Sequence, residues 1–334
     1  VEDDGLDPAA TILWMLDSQW PCNIALYPAY IKNRLETRGG GLERLKVHGT
    51  DLTFMAFGPR ATIAAFHAFT AGGTLRKIAC RTRPYELVQG STDALVERAF
   101  RIFKRALEAG GGIGGAYEEA LSPFLDLEIS ERNRPQVAIF GDFYARDNDV
   151  LNQGLVRSIE KAGGEVVTST YTDYLRSTID PHFRRLLVDR RYGQWAVHKT
   201  ALAVVGAVEQ ALSLRSSSIF GKPRSWHNPG YLERLDLFGI KPDQEGESFD
   251  NILEIFRVLS DHPELSLFVQ ASPAFCCPSI ITEAMSKEIE RVTGVPVVSI
   301  TYDGTGTFRN DAVEPYLAFG RRRSRTVAAK ADLR

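Results

Sequence analysis

Hydrophobic and polar positions are ordered most clearly in the second half of the chain. Residues 136–140 (QVAIF) form an apolar run, residues 150–162 repeat apolar positions at helical spacing, and residues 165–170 (EVVTST) are rich in β-branched residues, as strands are. Glycines bound each of these segments. Short apolar runs bounded by glycine predict buried strands, and the strand–helix–strand order predicts a parallel pair with a right-handed crossover.

The same alternation continues to residue 300. The pattern predicts a helix over 249–260, a strand over 265–270, a helix over 280–293 and a strand over 295–300. The polar stretch 220–247 has no periodicity that assigns it to either kind of element. Strands that alternate with helices are typical of an α/β fold with a parallel sheet.

The first half of the chain has a weaker version of this pattern. It predicts strands over 12–16 and 52–57 and helices up to residue 35, over 61–79 and over 94–108. The glycine-rich stretch 110–115 follows a helix rather than a strand, so it indicates a flexible joint rather than a phosphate-binding loop.

These elements predict two α/β domains and a tail. We expect an N-terminal domain over 1–115 with a helical linker to about 134, a C-terminal domain over 135–319, and a disordered basic tail over 320–334. Because the chain begins with valine rather than methionine, we expect it to be part of a longer protein.

The composition of the chain argues against several classes of function and location. The 334 residues carry a formal net charge of −2, which gives no electrostatic footprint for nucleic acid. No run of eighteen apolar residues occurs, so we expect no membrane span. The first thirty residues lack the order of a secretory signal, which predicts a cytoplasmic location.

The four cysteines are too few for a disulfide framework in a chain of this length. Cys276 and Cys277 stand between a predicted strand and a predicted helix whose first position suits Pro278. This places both thiols at the carboxyl end of a sheet strand, where α/β sheets form ligand crevices, and at a helix N-terminus, which favours the thiolate. The alternative is a pair of small packing residues in a tight turn.

The other two cysteines give weaker signals. Cys22 follows an apolar run and Pro21 and precedes a helix, so it stands at a second predicted strand-to-helix turn. Cys80 lies beside Arg81 and Arg83, which would lower the pKa of a thiol, but it also fits a buried helix end. Free cysteine is often buried, so both readings of Cys80 stay open.

Several segments together resemble the 2-hydroxyacyl-CoA dehydratase family, and most closely the C-terminal part of the long CoA-enzyme activase proteins. They are PCNIALYPAYIKN (21–33), CRTRPYE (80–86), VAIFGDFYARDND (137–149), PAFCCPSIITEAM (273–285) and GVPVVSITYDGT (294–305). The FCCPS turn together with the ITYDGT strand end is the most specific of these likenesses.

The resemblance implies Rossmann-like or flavodoxin-like parallel-sheet domains packed around an interface crevice that holds a [4Fe-4S] cluster. In some relatives the cluster is a double cubane, which would need more thiols than this chain has. The implied ligands are Cys22, Cys276 and Cys277, with Cys80 as a further candidate.

Such proteins take a low-potential electron from an ATP-hydrolysing partner or domain and deliver it to a CoA-thioester, which loses water in a hydro-lyase reaction of anaerobic metabolism. No P-loop occurs in this chain, so ATP hydrolysis is expected elsewhere. The resemblance also implies an oligomer. The alternative is a non-catalytic domain of a larger activase that binds a partner or acyl-CoA.

Overall fold

A computed structural model describes residues 5–17, 23–50, 57–110, 113–170, 173, 183, 186–215, 234–241 and 247–318. None of the described helices is long and apolar enough to cross a membrane. The basic tail predicted over 320–334 lies outside the described residues.

The described strands are β1 (Ile12–Leu16), β2 (Lys46–Thr50), β3 (Gln136–Gly141), β4 (Glu165–Val167), β5 (Leu267–Pro273) and β6 (Val297–Tyr302). The described α-helices are α1 (Tyr27–Arg38), α2 (Pro59–Thr82), α3 (Ser91–Glu108), α4 (Gly114–Leu121), α5 (Phe143–Asp147), α6 (Leu155–Lys161), α7 (Tyr192–Arg215), α8 (Glu247–Asp261), α9 (Cys277–Ala284) and α10 (Ser286–Thr293).

The chain forms two compact units, Val1–Phe66 and His67–Arg334. The domain limits expected from the sequence, at 115, 135 and 319, differ from this division and stay predictions.

In the first unit β1 pairs in parallel with β2, and α1 lies between the two strands along the chain. The strand predicted over 52–57 falls almost wholly outside the described residues. Strand β2 (KVHGT) was not predicted, because it contains no apolar run.

The second unit contains a parallel sheet with the strand order β4-β3-β5-β6. The α/β class predicted from the sequence is therefore confirmed, and this order of the described strands fits Rossmann-like and flavodoxin-like sheets alike. The chain runs from β3 outward to β4, then returns past β3 to β5 and continues to β6. The direction of winding thus reverses between β3 and β5.

Each face of this sheet carries its own core, because side chains along a strand point alternately to opposite faces. Val137 and Ile139 of β3 face α6, whereas Ala138 and Phe140 face α8 and α10. Helices that cover opposite faces are the expected result of right-handed crossovers running in opposite directions.

Two helix boundaries differ from the sequence pattern. The helix predicted over 150–162 begins only at Leu155, because Asn148 Oδ1 accepts bonds from the amides of Val150 and Leu151 and holds a turn there. The helix predicted over 280–293 is two helices, α9 and α10, which meet at Met285.

Strands β3 and β5 approach each other closely at the end of β3. Gly141 has φ +110°, and a Cβ atom at this position would lie 2.6 Å from the carbonyl oxygen of Ala271. The amide of Asp142 donates to that same carbonyl over 2.9 Å. Only glycine therefore allows this conformation and this contact together.

We expect the substitution Gly141→Ala to lower the free energy of unfolding by about 2 kcal/mol or more, because it adds a backbone collision to the unfavourable φ. Gly294→Ala is the matched control, since Gly294 has φ +72° but no atom within 4 Å of an added Cβ. Its cost should be only about 1 kcal/mol. Urea unfolding of both variants measures the difference, and equal costs would contradict the close approach.

Candidate functional site

The reversal of winding between β3 and β5 marks the place where a ligand crevice is expected. The segments that leave the carboxyl ends of these two strands turn to opposite faces of the sheet, which is the arrangement at which α/β sheets form ligand crevices. Asp142 follows β3 directly, and Cys276 and Cys277 follow β5 after a two-residue turn.

The segment after β5 is a strand-to-helix turn with an unusual backbone. The Ala274 amide donates to Tyr302 O over 2.9 Å, and Phe275 adopts φ +66° with 81% of its surface exposed. A bulky residue with positive φ is strained, and such residues cluster at functional sites. Cys276 then caps α9 and Cys277 begins it. Pro278 is consequently the second residue of the helix, one position later than predicted.

The two adjacent thiols have different surroundings. Cys276 is 4% exposed, and its Sγ lies 3.8 Å from Oδ2 of Asp142. Cys277 is exposed, and its Sγ lies 3.9 Å from the carbonyl oxygen of Phe275. The turn therefore places one thiol in the protein interior beside Asp142 and the other at the surface.

Asp142 is held by the first turn of α5. Its Oδ1 accepts a bond from the amide of Ala145 over 2.7 Å, so only Oδ2 is directed at Cys276. Burial raises the pKa of Asp142 above its usual range, although the amides of Ala145 and Tyr144 and the Cys276 thiol act against that rise. A buried carboxyl group beside a thiol can accept a hydrogen bond from it.

Buried polar side chains fix the start of α9 to the sheet. Gln270 in β5 is fully buried; its Nε2 donates to Ser279 O over 2.6 Å, and its Oε1 accepts from Ser299 Oγ over 3.4 Å. These bonds join β5, β6 and the first turn of α9, and so they hold the cysteine turn in place. Strand β5 ends at Pro273, three residues beyond its predicted end at 270. The polar residues Gln270 and Ser272 interrupt the apolar pattern that predicts a strand.

Cys80 belongs to a different environment. It lies at the end of α2 in the core formed with Val137, Leu155 and Ile300. Burial raises the pKa of its thiol to about 12 and outweighs the lowering by Arg76 and Arg83. The expected lowering of this pKa by neighbouring arginines is therefore wrong in its net direction.

Cys22 lies outside the described residues, so its expected convergence with the other thiols stays a prediction. Within the described part of the chain, no group of three or more His, Cys, Asp or Glu side chains is arranged to hold a metal ion. Beyond the carboxyl ends of β3 and β5, the described residues therefore include the thiols of Cys276 and Cys277 and the carboxyl group of Asp142.

A network of ion pairs lies beyond the carboxyl ends of β3 and β4. Lys77 Nζ lies 2.7 Å from Oδ2 of Asp173, and Arg257 Nη1 lies 3.9 Å from Oδ1. Arg146, in α5, pairs with Glu254 over 3.3 Å, and both side chains are buried. This network holds α2, α5 and α8 against the strand ends around the crevice.

Sequence reasoning missed Asp142 and this network. The glycine–aspartate pair after β3 was a usable signal for Asp142, but it is common after strands in α/β proteins. Nothing in the local sequence pairs Lys77 with Asp173, because the two residues come together only through the packing of α2 on the sheet.

No protein-family model matches this chain, no curated protein matches it, and no solved structure matches it.

The two described environments of cysteine predict different reactivity. We expect iodoacetamide at pH 8 to label Cys277 in the folded protein and to leave Cys80 unlabelled, because Cys80 is buried and burial raises the pKa of its thiol to about 12. Mass spectrometry of the peptides measures both sites, with urea-unfolded protein as the control in which both react. Equal labelling in the folded state would contradict the buried position of Cys80.

The ion pairs of Asp173 predict a loss of stability in acid. Burial raises the pKa of this carboxyl group, but Lys77, Arg257 and the Thr170 amide act more strongly and lower the pKa well below its usual range. A lowered folded-state pKa contributes stability above the unfolded value near 3.8, and this stability is lost as the pH falls.

We therefore expect Asp173→Asn to destabilise the protein by about 3 kcal/mol at pH 7 and by less below pH 4. Asp303→Asn is the control for an exposed carboxylate, because Asp303 follows β6 and pairs with Arg309 at the surface, where water screens the pair. Urea unfolding at pH 7 and pH 3.5 measures the two differences, and a deficit for Asp173→Asn that is independent of pH would argue against the ion pairs.

Proposed function

We propose that this chain is an iron–sulfur redox protein of the 2-hydroxyacyl-CoA dehydratase and activase type. In this proposal it takes a low-potential electron from an ATP-hydrolysing partner or domain and delivers it to a CoA-thioester. The observation that carries the proposal is the Cys276-Cys277 turn at the crevice between β3 and β5.

The donor set at this crevice fits part of a cluster site. Thiolates are the usual ligands of iron–sulfur clusters, and α9 directs its N-terminal amides towards the end of the helix where both thiols lie. Cys80 does not fit, because it is enclosed in the core and burial opposes its ionisation. A [4Fe-4S] cluster therefore requires thiols in addition to Cys276 and Cys277, and Cys22 is the remaining cysteine of the chain.

The residues at the crevice have separable roles in this proposal. Cys276 binds on the buried side and Cys277 on the solvent side. With Cys276 as a thiol, Asp142 accepts its hydrogen bond. Cys276 would bind a cluster as the thiolate, which has no proton to donate, so Asp142 would hydrogen-bond that sulfur only in its protonated form. A bound iron–sulfur cluster supplies one-electron transfer, whose potential depends on burial and on hydrogen bonds to its sulfurs.

A second candidate function is a non-catalytic domain that binds a partner protein or an acyl-CoA. It is favoured by the number of thiols, since the described residues bring only two to the crevice. The two functions differ in whether the protein retains iron.

The deciding experiment measures iron and acid-labile sulfide in anaerobically purified protein, with EPR spectra after reduction by dithionite. We expect about four iron and four sulfide per chain. Cys276→Ala should lose the cluster and its EPR signal, whereas the matched control Cys80→Ala should keep both. Protein that folds without iron and cannot be reconstituted would overturn the redox function and support the binding domain. Loss of the cluster in Cys80→Ala but not in Cys276→Ala would overturn the ligand assignment.

A further inference from the structure

A second cluster of charged residues lies at the amino ends of β3 and β4, at the opposite end of the sheet from the cysteine turn. The proposed redox site does not include any of these residues. Tyr85 lies just after α2, is 2% exposed, and donates its hydroxyl to Oε2 of Glu165 over 2.7 Å. Glu165 begins β4, and the amide of Arg134 donates to the Tyr85 hydroxyl over 3.2 Å. This tyrosine therefore ties the end of α2 to the amino ends of β3 and β4.

Two arginines lie over the Tyr85 ring. The guanidinium carbons of Arg132 and Arg134 are 5.8 Å and 5.6 Å from the ring centre, at distances that allow cation–π attraction. Arg134 also donates from Nη1 to the carbonyl oxygen of Glu160 over 3.2 Å. Both guanidinium groups are thus held near the same ring.

Arg81, in the last turn of α2, adds a third positive charge. Its Nε is buried and has no hydrogen-bond partner among the described residues. Burial lowers the pKa of Arg81, the positive charge of Arg132 lowers it further, and Glu165 partly offsets both. A half-buried guanidinium group with an unsatisfied donor is costly unless something accepts from it.

The charges of this cluster do not balance. Arg81, Arg132 and Arg134 supply three positive charges against one carboxylate, Glu165, which already accepts from Tyr85. None of the three arginines forms an ion pair with a carboxylate in the described part of the chain. This excess of positive charge is carried by planar guanidinium groups with several donors each, which is the chemistry that binds a phosphoryl dianion.

We propose that Arg81, Arg132 and Arg134 form a binding site for a phosphoryl group at the amino edge of the sheet. The six residues of β3 separate this site from the cysteine turn by about 17 Å along the strand, so the two sites are distinct. The proposal does not depend on the redox function, because none of its residues contacts the cysteine turn.

A different basic surface provides the control. Arg98, Arg101, Lys104 and Arg105 line an open groove of about 530 Å³ beside α3, together with Glu108 and Glu119. Its basic side chains are exposed, and Lys104 pairs with Glu108 over 3.9 Å. Non-specific attraction of anions would involve this groove as much as the Tyr85 cluster.

Isothermal titration calorimetry with inorganic phosphate and with glycerol 3-phosphate, at fixed ionic strength, tests the proposal. We expect saturable binding that Arg132→Gln weakens by about tenfold, a change of about 1.4 kcal/mol, and that Arg101→Gln leaves within about twofold. Arg132→Lys should be intermediate, because it keeps the charge but loses the planar fork. Arg132 is exposed, so its variants should fold, and urea unfolding verifies this.

Tighter binding of the ester would assign the site to a phosphorylated small molecule, and tighter binding of inorganic phosphate would assign it to the free anion. Both results support a phosphoryl site. Absence of saturable binding, or equal weakening by Arg132→Gln and Arg101→Gln, would overturn it.

Discussion

The parallel pairing of β3 with β5 is the constraint on which the rest of the second unit depends. It places two strands side by side that are separated by more than a hundred residues, and it requires glycine at 141 because the carbonyl of Ala271 occupies the space of a side chain. The same carbonyl accepts from the amide of Asp142. The residues that follow both strands are thereby brought together, and Cys276 lies beside Asp142.

The pKa values of the thiol and carboxyl groups depend more on burial and on contacts in the folded chain than on neighbouring residues in the sequence. Cys80 has arginines on both sides of it along the chain, yet the core around it raises the pKa of its thiol. Asp173 is also buried, but two cations lie close enough to its carboxylate to reverse the effect of desolvation. The difference is geometric, because ion pairs and hydrogen bonds made directly to the charged group compensate its loss of water.

The sheet has different chemistry at its two ends. The carboxyl ends of its strands are followed by two thiols and the carboxyl group of Asp142, whereas three arginines lie near Tyr85 at the amino ends. In the proposed redox protein, electron transfer takes place at the carboxyl ends. The phosphoryl site at the amino ends would let the same unit respond to a phosphorylated molecule without any contact with the cluster.

The sequence by itself determined the α/β class, the parallel pairing of β3 with β4 and the position of the cysteine pair at a strand-to-helix turn, because these follow from local periodicity and turn residues. It did not determine the strand order, the partnership of Cys276 with Asp142 or the burial of Cys80. Those depend on which distant segments pack together. Gln270 shows the physical reason: a polar residue lowers the local signal for a strand, yet the folded chain buries it because partners on two other elements satisfy its hydrogen bonds.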